Sequence, residues 1–121
     1  MEKKITDLLR ALRSAARGRS TGFAIGTTVG RFAGALYTTP LRATKEIIYA
    51  GAIVRDAQTA AKVARMVDGK VQYVFLDVEK KIVDIEPRVS RALSRSKVIT
   101  YKGNDLAAQA ADALIARLQP A

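Results

Sequence analysis

The stretch SAARGRSTGFAIGTTVGRFAGALYT, residues 14–38, decides how the rest of the chain is read. It places glycine at every fourth position, Gly18, Gly22, Gly26, Gly30 and Gly34, and the small residues Ser14 and Thr38 extend the row. Five of the chain's eight glycines fall in this register, so the spacing needs a physical cause. On an α-helix the i, i+4 row is a surface ridge, and glycines along it cut a groove that admits a second backbone. Each interior glycine costs about 1 kcal/mol against alanine, so such a helix needs a tight partner or a bilayer. Strand geometry competes, because four is even. On a strand all five glycines again share one face, and Ile25, Thr27, Thr28 and Val29 are good strand formers. Helix is the expectation taken forward, with Gly18, Gly22, Gly26, Gly30 and Gly34 as a helix-packing interface. A phosphate loop is rejected. The stretch lacks the Lys-Ser/Thr ending of a P-loop and the Gly-x-Gly start of a dinucleotide turn, and no convincing strand precedes it.

Working outward, residues 3–17 read as a basic amphipathic helix. Ile5, Leu8, Leu9, Leu12 and Ala15 or Ala16 follow helical spacing, while Lys3, Lys4, Arg10, Arg13 and Arg17 fill the rest of the wheel. Such a helix either lies on an anionic membrane or packs on the body of the protein. Residues 20–41 carry one charge, Arg31, and as a helix would extend about 33 Å, enough to span a bilayer. Arg31 near mid-depth costs about 2.5–3.5 kcal/mol, which favours a span within an oligomer or a soluble helix buried in an assembly. Pro40 ends or kinks this helix. A second, alanine-rich helix is expected over residues 41–67, stopped by Asp68-Gly69.

Gly22, Gly26, Gly30, Gly34, Leu36, Tyr37, Pro40, Thr44, Lys45 and Glu46 together resemble the small YtxH-like glycine-zipper proteins, over residues 22–48. In that pattern a glycine-zipper helix is followed by a proline break and a charged, alanine-rich helix. The resemblance implies an accessory, membrane-associated protein without catalytic activity.

From Val71 the texture changes. Residues 71–78 are strand-like, Glu79-Lys80-Lys81 a turn, and residues 82–85 a return strand. Glu86-Pro87 opens a short helix, residues 97–101 form a third strand, and Gly103-Asn104-Asp105 leads into a helix over residues 106–118. The expected fold class is α+β: N-terminal helices over 1–69, an assembly region, followed by a small ββαβα domain over 70–121.

Length and composition set the chemical limits. The 121 residues contain neither cysteine nor histidine. Disulfides, thiolate metal sites and imidazole bases are therefore unavailable, and the expectation is a non-enzyme without cofactors. The net charge of +10 is uneven, with six basic and two acidic side chains in residues 1–20. Such a balance suits an anionic partner. Arg10, Arg13, Arg17, Arg19, Arg88, Arg91 and Arg95 are the candidate anion-binding or nucleic-acid-binding residues, with Tyr73 and Phe75 either stacking bases or filling the core. Asp77, Glu79, Asp84 and Glu86 alternate along the expected hairpin and are weighed as a hard-cation site. No cation loop accompanies them, and a solvated face is preferred. Arg-Val-Ser90 and Arg-Ala-Leu-Ser94 match basophilic kinase spacing but are too short to carry weight.

Two functions follow as expectations. The first is a non-catalytic assembly or accessory protein, oligomerising or docking on a larger complex through the glycine-faced helix. Its setting would be cytoplasmic, peripheral to the cytoplasmic membrane or anchored in it. The alternative is a basic nucleic-acid-binding or packaging protein.

Overall fold

In the computed structural model, residues 2–28, 34, 36–79, 82–102, 111, 113, 115 and 116 are described. Helix α1 (Glu2–Ala16) leads into strand β1 (Ser20–Thr27) through a tight turn at Arg17 and Gly18, both left-handed with φ of 48° and 82°. There follow β2 (Leu36–Ala43), β3 (Ile47–Val54), α2 (Ala57–Val67), β4 (Tyr73–Asp77), α3 (Ile85–Ala92) and β5 (Lys97–Tyr101). The strands form one sheet in the order β2-β3-β1-β4-β5. It is parallel throughout except for β2, which pairs antiparallel with β3. The chain is thus mixed α/β with an N-terminal helix, and strands from both sides of the expected boundary at residue 69 share the sheet.

The decisive stretch is the central strand, not a helix. β1 runs between β3 and β4, with Gly22 opposite both Tyr49 and Tyr73, and Ala24 opposite Gly51 and Phe75. Parallel neighbours on both sides satisfy its backbone, and a strand buried on both faces loses polar alternation. The even row Gly22, Ala24, Gly26 is small because the neighbouring strands lean over it. A Cβ at Gly22 would sit 2.7 Å from Phe75 Cε2, and one at Gly26 would sit 2.5 Å from Ile53 Cδ1. Above that floor the Tyr49 and Phe75 rings meet edge to face at 6.0 Å, and Tyr73 stacks on Phe75 at 6.4 Å. The glycines make room for aromatic side chains of their own sheet, so they offer no furrow to a second helix. Gly18 and Gly34 lie outside the strands at positive φ, and Gly30 lies outside the described residues.

Two cores flank the sheet. On one face Phe23, Ile25, Ala50, Ala52, Val74 and Leu76 pack beneath Ile5 and Leu12 of α1, the alanines and valines of α2, and Ile85 and Val89 of α3. On the other, Ala24, Ile47, Tyr49, Phe75 and Ile99 meet Ala111 and Ile115, which are helical and belong to the expected helix over 106–118. The rest of that segment lies mostly outside the described residues.

Other expectations are corrected in the same terms. The helix expected over 41–67 divides into the end of β2, all of β3 and α2. Its first half carries Ile47, Ile48, Tyr49, Ile53 and Val54, β-branched and aromatic residues that suit a buried strand. α2 starts where Asp56 accepts a 2.7 Å hydrogen bond from Thr59 N, a side-chain cap. Pro40 breaks no helix. It sits in edge strand β2 at a register irregularity between Thr39 and Arg42, where a missing N–H is tolerated. The return strand expected over 82–85 is absent; Ile82 and Val83 lead into α3. β4 and β5 match the expected strands closely. Among the described residues no helix is long and apolar enough to cross a membrane, and residues 20–41, weighed as a span, contain β1 and most of β2.

Candidate anion-binding face

The helix layer carries the charge. With Ile5 and Leu12 buried, the 100° turn per residue directs Lys3 and Arg10 to the opposite side of α1 and Thr6 and Arg13 to its flank, and all four are exposed. From Lys3 to Arg13 the row covers about 15 Å of helix axis, roughly four base-pair steps of a duplex. Arg17 continues it beyond the last turn, and Arg19 follows, half-buried, at the entrance to β1. Arg10 makes a 3.7 Å ion pair with Asp7 in which both side chains are exposed, an interaction worth little.

Beside this row the fold places a residue from far along the chain. Thr6, Leu9, Arg10 and Arg13 line a cleft of about 300 Å³ whose remaining wall is Lys70, in the turn between α2 and β4. A second cleft on the same helix layer, about 370 Å³, is lined by Glu2, Lys62, Arg65 and Met66. Arg13 and Lys70 have no ion-pair partner among the described residues.

The turn that carries Lys70 is held by Asp68. Its carboxylate accepts from the backbone N–H groups of Ser94 (3.1 Å), Arg95 (2.9 Å) and Ser96 (2.9 Å), and from Ser94 Oγ (2.9 Å). The Ser96 and Arg95 amides lead in holding this carboxyl well below the ordinary carboxylate range, because they stabilise only its charged form. Ser96 Oγ completes the fastening by accepting from Gly69 N (2.9 Å) and donating to Val71 O (2.6 Å).

The other arginines are distributed along α3 and beyond it. Arg88 lies towards the N-terminus of α2, where its charge contributes to lowering the Asp56 carboxyl, after the larger effect of the Thr59 amide. Arg91 Nε donates to Pro87 O within its own helix. The Arg95 side chain lies over Gly69, where an added Cβ would meet its Cδ at 2.9 Å. The structure therefore joins Arg10 and Arg13 to Lys70, sets Arg95 against the same turn, and leaves Arg88 at the other end of the helices.

The remaining candidates separate. Phe75 is fully buried and Tyr73 half-buried, so both serve the core. Without a hairpin the four carboxylates do not converge. Asp77 is buried and accepts from Thr27 Oγ1 at 3.3 Å and Glu79 N at 2.9 Å, whereas Glu79, Asp84 and Glu86 are exposed. Among the described residues no group of three or more Asp or Glu is placed to hold a metal ion. Sequence reasoning missed Lys70 and Thr6. The signal for Lys70 was the Asp68-Gly69 stop, which fixes the residue after it; nothing local indicated that the turn faces α1.

No family model, curated protein or solved structure matches the chain. The chemistry of this face must therefore carry the functional assignment.

Proposed function

We propose that this protein is a non-catalytic, basic nucleic-acid-binding protein that grips the phosphate backbone of a duplex along the outward side of α1. The observation carrying the proposal is the orientation of α1: its apolar side is spent in the core, and its cations face outward beside Lys70. A helix lying on a membrane needs its apolar face for the bilayer, and here Ile5 and Leu12 are buried in the protein. The large apolar side chains exposed among the described residues, Tyr37, Leu41 and Val83, lie on β2 and ahead of α3 rather than on this helix. A duplex is favoured over a single strand for a related reason. Single-strand binding draws about 1–3 kcal/mol per base from stacking on aromatic rings; Tyr73 and Phe75 are engaged in the core, and the exposed Tyr37 lies on β2 rather than on α1. Phosphate contacts fix position and carry no sequence information, so binding is indifferent to sequence.

The assembly function expected from the sequence loses the glycine-faced helix on which it was built. The test is fluorescence anisotropy of a labelled duplex with the full chain at low salt. Arg10→Glu with Arg13→Glu is expected to weaken binding at least tenfold, and Lys102→Glu, exposed at the far end of β5, to change it little. Equal loss from both, or retention on anionic vesicles without duplex binding, would overturn the proposal.

A further inference from the structure

We infer that the cleft between α1 and the α2–β4 turn is a phosphate subsite, formed by Arg10, Arg13, Lys70 and Thr6, with Asp68 as the residue that positions Lys70. The inference deepens the function proposed above and rests on it for the biological ligand. Phosphate recognition itself can be measured without nucleic acid.

Three observations carry it. The first is the composition of the cleft: among the described residues it is lined by two guanidinium groups, one ammonium, one hydroxyl and a leucine, with Asp7 reaching Arg10 only through an exposed 3.7 Å pair. Guanidinium groups suit phosphate because their planar N–H forks match its oxygens, and a lysine adds a compact charge. The second is size. At about 300 Å³ the cleft lies at the lower limit for small-molecule sites, which suits one phosphate and its immediate substituent rather than a large ligand.

The third is preorganisation. Surface lysines ordinarily lose affinity to the cost of ordering. The backbone of Lys70 stands on a turn fixed from several sides, so only the side chain remains to be ordered. Its own N–H donates to Val67 O at 2.9 Å, Gly69 N donates to Ser96 Oγ, and Asp68 accepts four hydrogen bonds from Ser94, Arg95 and Ser96. Asp68 is also the acid nearest to Lys70 in sequence, and both its oxygens are already occupied. Asp68 keeps its charge, and its hydrogen bonds fasten the turn rather than forming an ion pair with Lys70.

The test is a titration of the isotope-labelled full chain with inorganic phosphate and, separately, with dimethyl phosphate, followed by NMR. Saturable shifts are expected at Thr6, Arg10, Arg13 and Lys70 with both probes, weakened at least tenfold in Arg13→Gln with Lys70→Gln. Shifts that do not saturate, or that map to Arg88 and Arg91, would overturn the subsite, and a response to inorganic phosphate alone would overturn its assignment to backbone diesters. Asp68→Asn is expected to abolish the Lys70 side-chain response while Arg13 still responds. General unfolding would remove both. If Asp68→Asn does not fold, Ser96→Ala tests the same fastening by the same signature, and an unchanged Lys70 response would remove the positioning role. Loss of duplex binding with saturable phosphate binding would refute the proposed function and leave the subsite standing. Undiminished duplex binding by the Arg13, Lys70 double variant would do the reverse.

Discussion

Gly51 is the least replaceable glycine in the sheet. A Cβ there would lie 2.9 Å from the Ala24 carbonyl oxygen and 2.8 Å from Thr39 Oγ1, and the carbonyl belongs to a strand fixed by its neighbours. Gly26 differs, because its added Cβ would meet only Cδ1 at the end of the half-buried Ile53 side chain, which can rotate away. Gly51→Ala is therefore expected to destabilise the fold by about 1–3 kcal/mol and Gly26→Ala by less, read from urea midpoints. Arg17 presents the opposite situation, a side chain where glycine would fit better. Its φ of 48° is the left-handed conformation, costing a non-glycine residue roughly 1–2 kcal/mol. Arg17→Gly is expected to raise stability by about 1 kcal/mol and to reduce the salt dependence of duplex binding by about one counterion. Calorimetry and anisotropy on the same variant check both halves.

At the scale of elements, the fastening of α2 to β5 is the most polar junction described, and it responds to pH with a definite sign. The folded-state pKa of Asp68 is depressed below its unfolded value, near 3.9. Its contribution is therefore complete above about pH 4 and is lost as pH falls from there towards the folded pKa. Comparing urea midpoints of the parent chain and Asp68→Asn across pH, we expect a constant gap near neutrality that narrows below about pH 4. Parallel curves down to strongly acidic pH would contradict this role. The elements were unequally legible in the sequence. α1, β4, β5 and the start of α3 carry apolar patterns or turn signals that point one way. β1 does not, since a spacing of four satisfies a strand's period of two and a helix's 3.6 alike. A central parallel strand also lacks the polar alternation that would have decided the matter. What broke the tie was long-range: Tyr49 and Phe75, distant in sequence, need the space that Gly22 leaves. The candidate face divided in the same way. Arg10 and Arg13 were legible from α1 alone, whereas Lys70 joins them only through tertiary packing.

At the scale of the whole molecule, the sheet separates two jobs. One face, floored by small residues, buries aromatic rings against Ala111 and Ile115, and the other supports helices whose outward sides are basic. Of the net charge of +10, residues 1–20 carry +4, and the exposed cations of α1 stand beside Lys70 on one side of the molecule. Coulombic attraction to phosphate is screened by salt and proceeds by release of counterions from the duplex. On the proposed function, a face offering Lys3, Arg10, Arg13, Arg17 and Lys70 would engage about four or five phosphates, which would set the slope of log affinity against log salt near −4. Measuring duplex affinity by anisotropy across a salt series, for two unrelated sequences of equal length, tests the central claim most directly. The account predicts parallel lines with slopes of about −4 and nearly equal affinities; a slope near zero, or no binding at the lowest salt, would contradict it.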